Sequence, residues 1–195
     1  YGIKGEEIPV SSRIISIDKE SGSINCTLGG LLLFSNVNSI WLPHNMIRIN
    51  NKVNKEKNNT IIIQGNILDM IDKSIKAISE ILPKDYPINA IIEAISNGVL
   101  YRDYSAFDKI IDVYIGNKEI IITSPGAIIG NSRSVNNINQ NKRNMWLYEK
   151  IITIDDNKRF LNNGKGFLRI KKSFNNSRSV KFINADKEII SIPCG

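Results

Sequence analysis

The sequence predicts an α/β protein of the α+β kind, a two-layer sandwich in which a mainly antiparallel mixed sheet carries helices on one face. Two stretches have apolar residues at spacings of three and four, which is typical of helices with one buried face. Several shorter stretches alternate or are rich in isoleucine, which favours strands. These strands come as neighbouring pairs separated by helices, so hairpins are expected. The 195 residues suffice for one substantial core.

Each element has its own local signal. Residues 1–18 alternate as extended chain does, and "KESG" (19–22) is a turn before "SINCTLGGLLLF". The two helices with buried stripes are bounded by Pro83 and Pro87, because proline lacks the amide hydrogen that a helix interior needs. The remaining predicted elements are listed in chain order: strands 46–50 and 60–65, helices 67–82 and 88–99, strands 109–116 and 118–124 joined at Gly116 and Asn117, a helix at 144–152, a Gly-rich loop leading into another helix after 166, and a terminal hairpin over 179–193.

Composition excludes several classes of protein. The longest apolar runs fall far short of the roughly 20 residues that a membrane-spanning helix needs. Cys26 and Cys194 are too few for a disulfide framework or a zinc site, so a reducing cytoplasm is expected. The net charge of +7 is compatible with nucleic-acid binding, but the basic residues are dispersed and form no run. The lone His44 follows a proline and is expected at the surface.

The stretch "IIEAISNGVLYRDYS" (91–105) places polar groups in an apolar helix. Glu93 and Asn97 are four residues apart and therefore share a helix face. Such a pair is often merely solvated. However, "SPGAIIG" (124–130) leaves a strand through a Gly-bearing turn, and "NNGKG" (162–166) precedes a helix whose first amides are suited to hold phosphate. Arg102 and Asp103 are interpreted as a structural lock, an ion pair or cap at the helix end.

These segments resemble a known family. "EAISNGVLYRDYS" resembles the signature "EALxNAxxHRDYS", "IIITSPGAI" resembles "IEIxSPGGL", and "NNGKGFLRI" is similar to "xxGTGIRRI". "TLGGLLLF" followed by "LPHNMIRI" also resembles an upstream segment of the same family. The family is the C-terminal ATPase-like domain of RecG-related, AlbA-domain transcriptional regulators, a divergent branch of the Bergerat-fold ATPases that include gyrase B and the histidine kinases. The resemblance covers roughly residues 24–175.

The resemblance implies an ATP site with Mg²⁺. Glu93 stands where active relatives keep the general base, and Asn97 where they keep a ligand of the magnesium ion that the nucleotide phosphates carry. Gly126 is expected to admit adenine, while Gly164 and Gly166 are expected to bend the chain around the phosphates. Ser124 matches the quoted signature, but the resemblance implies that active Bergerat-fold ATPases have at this place the aspartate that binds the adenine amine.

The resemblance also implies a domain organisation. Residues 1–22 are similar to the tail of a preceding AlbA-like domain or a linker, residues 23–83 form the first part of the ATPase-like region, and residues 84–195 form its nucleotide-binding core. The chain is therefore expected to be a piece of a longer regulator whose DNA contacts lie mainly in the missing domain. No GxxxxGK[ST] loop is present, so helicase activity is not expected.

Three functional hypotheses remain open at this point. The first is a nucleotide-binding domain with at most a weak, Mg²⁺-dependent ATPase activity. The second is a degenerate fold that serves as a homodimerisation or protein-interaction module. The third is direct DNA binding by this fragment, which only the positive charge favours. The family's "SRNP" segment appears here as "KRNM" (142–145), in which Arg143 and Asn144 match and the proline does not.

Overall fold

The computed structural model describes Val10 and residues 12–126, 143–160, 166–175, 180–184 and 187–194. Gly164 and the rest of the Gly-rich segment except Gly166 therefore lie outside the described residues. The strands within the described residues are β1 (Ile15–Ile17), β2 (Ile24–Cys26), β3 (Met46–Asn51), β4 (Thr60–Gln64), β5 (Ile111–Ile115), β6 (Glu119–Pro125), β7 (Lys181–Asn184) and β8 (Lys187–Pro193). The helices that lie wholly within them are α1 (Leu28–Phe34), α2 (Ile67–Ile81), α3 (Ile88–Leu100), α4 (Met145–Ile154) and α5 (Gly166–Ser173), with a short 3₁₀ turn at Asn38–Ile40.

Six strands form one mixed sheet in the order β4-β3-β5-β6-β8-β7. β3 and β5 are parallel, and every other neighbouring pair is antiparallel. The parallel pair needs a crossover, which α2 and α3 provide after β4. The predicted mixed, mainly antiparallel sheet is thus confirmed. The small sheet β1-β2 is a hairpin that spans the predicted boundary at residue 22. The predicted boundary at residue 83 lies between α2 and α3, and strands from both sides of it belong to the one large sheet.

Alternating burial shows that the helices cover one face of the sheet. Ile47, Ile49 and Val113 are fully buried on that face. Their neighbours point the other way, where Arg48 and Asp112 form a partly exposed ion pair with a 2.6 Å separation between Nη2 and Oδ2. One sheet face is therefore apolar and buried beneath the helices, while the other is partly exposed and mixed, since Ile62 and Tyr114 share it with Arg48 and Asp112.

The two long helices have the local causes that the sequence indicates. α2 begins after Asn66, whose side chain accepts a hydrogen bond from the Asp69 amide, and it ends just before Pro83. α3 begins directly after Pro87. α3 lies against β6 on one side and against α5 on another, so it connects the sheet to α5. Among the described residues, no helix is long and apolar enough to cross a membrane.

Candidate functional site

Glu93 and Asn97 meet the first residue of α5. Both side chains are half-buried on the flank of α3 that faces Gly166. A Cβ atom at Gly166 would overlap Glu93 Oε1 and lie 2.9 Å from Asn97 Nδ2, so only glycine fits this approach without a shift. The structure brings Glu93, Asn97 and Gly166 together, as the sequence predicts.

Arg169 holds the Glu93 carboxylate. Its Nη2 donates to both carboxylate oxygens at 2.9 and 2.8 Å, and its Nε donates to Oε2 at 3.0 Å. Arg169 lies one turn after Gly166, so the same helix that contacts Glu93 also neutralises it. A carboxylate in this ion pair is not free to orient a water molecule. The sequence analysis missed Arg169, although the spacing from Gly166 to Arg169 in "GFLRI" is a helical one.

The side-chain amide of Asn97 has no hydrogen-bond partner among the described residues. An amide oxygen is a suitable ligand for Mg²⁺, which in nucleotide sites is held by one or two protein oxygens and by the phosphates. Asn97 fits that role. The described residues contain no group of three or more His, Cys, Asp or Glu side chains that would bind a metal ion without a nucleotide. The space beside Asn97 is filled by Gly166.

Ser124 is 1% exposed and lies on β6 beneath α3. Its hydroxyl donates a 2.6 Å hydrogen bond to the carbonyl of Gly98. Ser124 thus takes part in capping the end of α3, because the last four carbonyls of a helix lack partners inside the helix. Each of the four has a donor, namely Tyr101 N to Asn97 O, Ser124 Oγ to Gly98 O, Tyr104 Oη to Val99 O, and Asn144 Nδ2 to Leu100 O. Three of these donors are side chains from the segments that carry the family resemblance.

Arg102 and Asp103 stabilise this helix end through different partners. Arg102 is 1% exposed and donates from Nη2 to the carbonyls of Lys109 at 2.6 Å and His44 at 3.3 Å. Asp103 accepts from the Ser105 hydroxyl at 2.6 Å and from Arg143 Nη1 at 3.4 Å. The hydrogen bonds from Ser105, aided by the positive charges nearby, lower the pKa of Asp103. The described contacts tie both side chains to the chain segments around the junction.

His44 is a correction to the sequence analysis. It is 8% exposed, and its ring packs edge-on against Phe107 with a centroid separation of 5.1 Å. Burial lowers the pKa of His44. The expectation of a surface position is wrong because the turn that holds His44 lies under the 102–109 segment, to which its carbonyl is hydrogen-bonded through Arg102.

Gly126 has a backbone φ of +96°, which strongly favours glycine. A Cβ atom here would lie 2.7 Å from Asp103 Cβ and 3.4 Å from Arg143 Cζ. The preceding carbonyl of Pro125 accepts a 2.7 Å hydrogen bond from the Asp103 amide. In this arrangement the close approach that Gly126 permits is taken by Asp103, at the position where the resemblance implies adenine.

Glu188 is a buried acid that the sequence analysis missed. It is 2% exposed, and neither carboxylate oxygen has a hydrogen-bond partner among the described residues. It lies directly opposite Ser124 in the pairing of β6 with β8. Burial raises the pKa of Glu188 to about 8, so the carboxyl is mainly protonated at neutral pH. The available signal was the alternation of Glu188 with Ile190 and Ile192, which puts an acid on the apolar face of its strand.

Tyr101 connects the two acids. Its ring is 6% exposed at the end of α3. Burial is the largest cause that raises its pKa, and electrostatic interactions with Glu188, Tyr148 and Glu93 raise it further. Tyr101 is therefore near enough to both Glu93 and Glu188 to interact electrostatically with each.

A cavity of about 270 Å³ lies elsewhere, between α1 and the start of α4. Its lining includes Leu32, Tyr104, Arg143 and Trp146. None of the residues predicted to bind nucleotide lines it. Among the described residues, Gly166 at the start of α5 closely approaches Glu93 and Asn97.

Comparison of the sequence with protein-family models and with curated proteins finds no match. Among solved structures, the chain is similar to the crystal structure of the DIP2311 protein from Corynebacterium diphtheriae, with a TM-score of 0.62 at 18% sequence identity. The match covers all of this chain and 40% of that chain, so this chain spans less than half of the similar protein. At this identity the likeness shows the α/β fold alone.

Proposed function

We propose that this chain is a purine-nucleotide-binding domain of a transcriptional regulator, with ATP and Mg²⁺ as its ligands. The observation that carries the proposal is the convergence of Glu93, Asn97 and the amino-terminal end of α5 at one place. An acid, an amide side chain without a hydrogen-bond partner among the described residues and a helix amino terminus together offer what a triphosphate with its metal ion needs. The order of the motifs along the chain supports the same proposal.

Each residue has a defined part in this proposal. The Asn97 side-chain oxygen coordinates Mg²⁺ that is carried by the phosphates. The first amides of α5 donate to phosphate oxygens, and the positive end of the helix dipole faces their negative charge. Glu93 orients water only after Arg169 releases it. Hydrolysis is therefore slow, and the activity is at most that of a weak ATPase.

Binding requires α5 to move away from α3. Gly166 now occupies the space beside Asn97, and Arg169 occupies the carboxylate of Glu93. When Arg169 leaves Glu93, it loses its negatively charged partner, and phosphates that enter between the helices supply a new one. The same guanidinium is then suited to bind a phosphate oxygen. In a longer regulator, DNA would be contacted mainly by the domain that precedes this one.

Calorimetric titration tests this proposal. Wild type is titrated with ATP, ADP and GTP, with and without Mg²⁺. A dissociation constant below about 1 mM for a purine nucleotide is expected, with binding in Mg²⁺ at least about tenfold weaker in N97A. N89A is the matched control, because Asn89 is exposed on the same helix. The absence of binding by wild type would refute the proposal.

The second candidate is a non-catalytic homodimerisation or protein-interaction module. The bidentate Arg169–Glu93 pair favours it, because it closes the region without any ligand. The commitment of Ser124 to the Gly98 carbonyl favours it as well. Sedimentation measurements distinguish the two candidates. A dimer that forms at the same concentration with and without nucleotide, and in E93A and N97A, supports the module.

A further inference from the structure

Glu188 carries a carboxyl group that has no hydrogen-bond partner among the described residues. Buried polar side chains are nearly always hydrogen-bonded, and an exception calls for a reason. Here both carboxylate oxygens are buried and lack partners among the described residues. The neighbouring inward positions on β8 are filled by Ile190 and Ile192, so an apolar residue would satisfy the packing at this place. The strand keeps an acid there instead.

The position of Glu188 places it in the proposed nucleotide region. Directly opposed residues on antiparallel strands have side chains on the same face, about 5 Å apart at Cβ. The residue opposite Glu188 is Ser124. Ser124 is hydrogen-bonded to Gly98, which follows Asn97 in α3. Tyr101 interacts electrostatically with both Glu188 and Glu93. Glu188 therefore lies at the sheet side of the region whose helix side holds Glu93 and Asn97.

We propose that the carboxyl of Glu188 recognises the amino-bearing edge of a purine base in this region. The inference rests on the proposed nucleotide function. A protonated carboxyl presents one donor and one acceptor side by side. Adenine presents the complementary pair, since its ring nitrogen N1 accepts and its exocyclic amine donates. An ionised carboxylate presents two acceptors and suits the N1–H and amino group of guanine.

The surroundings of Glu188 decide between these two bases. Its cross-strand partners, Ser124 on β6 and Asn184 on β7, do not titrate. The titratable group that interacts with it from the helices is Tyr101, which stays neutral because its pKa is raised. Burial holds the carboxyl of Glu188 in its neutral form near pH 7. Adenine is therefore the expected base.

Ser124 does not supply this recognition. Its hydroxyl hydrogen is used by the carbonyl of Gly98, so it has only lone pairs to offer. Glu188, one strand away, has both a donor and an acceptor unused. A carboxyl group is thus present directly opposite Ser124 in the strand pair.

The test compares three nucleotides and three proteins. ATP, GTP and purine riboside 5′-triphosphate, which lacks the exocyclic amine, are titrated into wild type, E188Q and E188A at pH 7. Wild type should bind ATP at least about tenfold more tightly than the analogue without the amine. E188A should bind these two equally. E188Q should keep the preference, because a glutamine amide also offers one donor and one acceptor.

A pH series separates recognition from a structural role. Above about pH 8 the carboxyl of wild type ionises, and its preference for ATP over GTP should fall at least about tenfold. E188Q should show no such change. If E188A does not fold, E188L takes its place, since leucine fills the apolar volume.

The outcomes are distinguishable. If wild type binds nucleotide and E188A or E188L discriminates as wild type does, the role of Glu188 is refuted while nucleotide binding stands. If the preference of wild type does not change with pH, the role of Glu188 is likewise refuted. If wild type binds no nucleotide at all, both the inference and the proposed function are overturned.

Discussion

Replacing Glu188 with glutamine tests how strongly its carboxyl is coupled to folding. In the folded state burial raises the pKa to about 8, while an exposed glutamate in the unfolded chain has its ordinary value of 4.5. Between these pH values the folded state holds a proton that the unfolded state has lost. The free energy of unfolding therefore falls as pH rises, by about 1.4 kcal/mol per pH unit.

The interval from 4.5 to about 8 spans about 3.5 pH units, which corresponds to about 5 kcal/mol between acidic and alkaline conditions. Above pH 8 the folded carboxyl also ionises, and the slope disappears. This contribution is comparable to the whole stability of a marginal domain. E188Q removes the titrating group and should remove the slope that belongs to it.

Urea unfolding followed by circular dichroism measures this effect at several pH values from 5 to 9. The difference in unfolding free energy, E188Q minus wild type, should rise with pH up to about 8 and then stay constant. E119Q controls for the loss of one acidic residue, because Glu119 lies at the exposed start of the neighbouring strand β6. A difference between E188Q and wild type that is independent of pH would refute the reasoning.

Three further experiments test the junction and the closed site. G126A should lower the free energy of unfolding by about 1–3 kcal/mol, because of both the positive φ and the contact with Asp103. In the control G22A the added Cβ meets no neighbour within 4 Å, so this variant should lose less unfolding free energy, and equal losses in urea unfolding would contradict the packing. N144A should lose about 1–2 kcal/mol, because its amide donates to the carbonyls of Leu100 and Arg102 at 2.8 Å, with N89A as the control; an unchanged melting temperature would contradict this. A double-mutant cycle of E93Q with R169Q should give a coupling of about 1 kcal/mol that shrinks in salt, and a coupling of zero would contradict the closed arrangement.

The sequence was sufficient for the elements with strong local signals. α2 and α3 were predicted because apolar residues recur at helical spacing between proline boundaries, and Pro83 and Pro87 act on the chain within a few residues. The hairpin of β5 and β6 was predicted because Gly116 and Asn117 lie between two isoleucine-rich runs. Such signals are local and need no knowledge of the remaining chain.

The sequence could not predict contacts between distant segments. Asn144 caps a carbonyl 44 positions earlier in the chain, and Arg169 pairs with a glutamate 76 positions earlier. A single sequence does not say which segments meet. The parallel pairing of β3 with β5 depends in the same way on the packing of the whole sheet. His44 was misplaced because the chain that covers it comes from residues around Phe107.

The candidate site was predicted in part. Glu93, Asn97 and Gly166 were placed together by the helix spacing and by the resemblance, and the structure places them together. The roles assigned to them, and to Ser124 and Gly126, stay predictions. Ser124 and Gly126 have structural partners in Gly98 and Asp103, which a sequence motif alone does not reveal.

The most direct test of the central claim is a nuclear magnetic resonance titration of ¹⁵N-labelled protein with ATP and Mg²⁺. Binding as proposed should shift the amide signals of residues 93–98 and 166–169, since phosphates enter between α3 and α5. The N97A variant should lose these shifts, and N89A should keep them. Shifts confined to the opposite face of the sheet around Arg48 and Asp112, or no shifts at saturating nucleotide, would contradict the account.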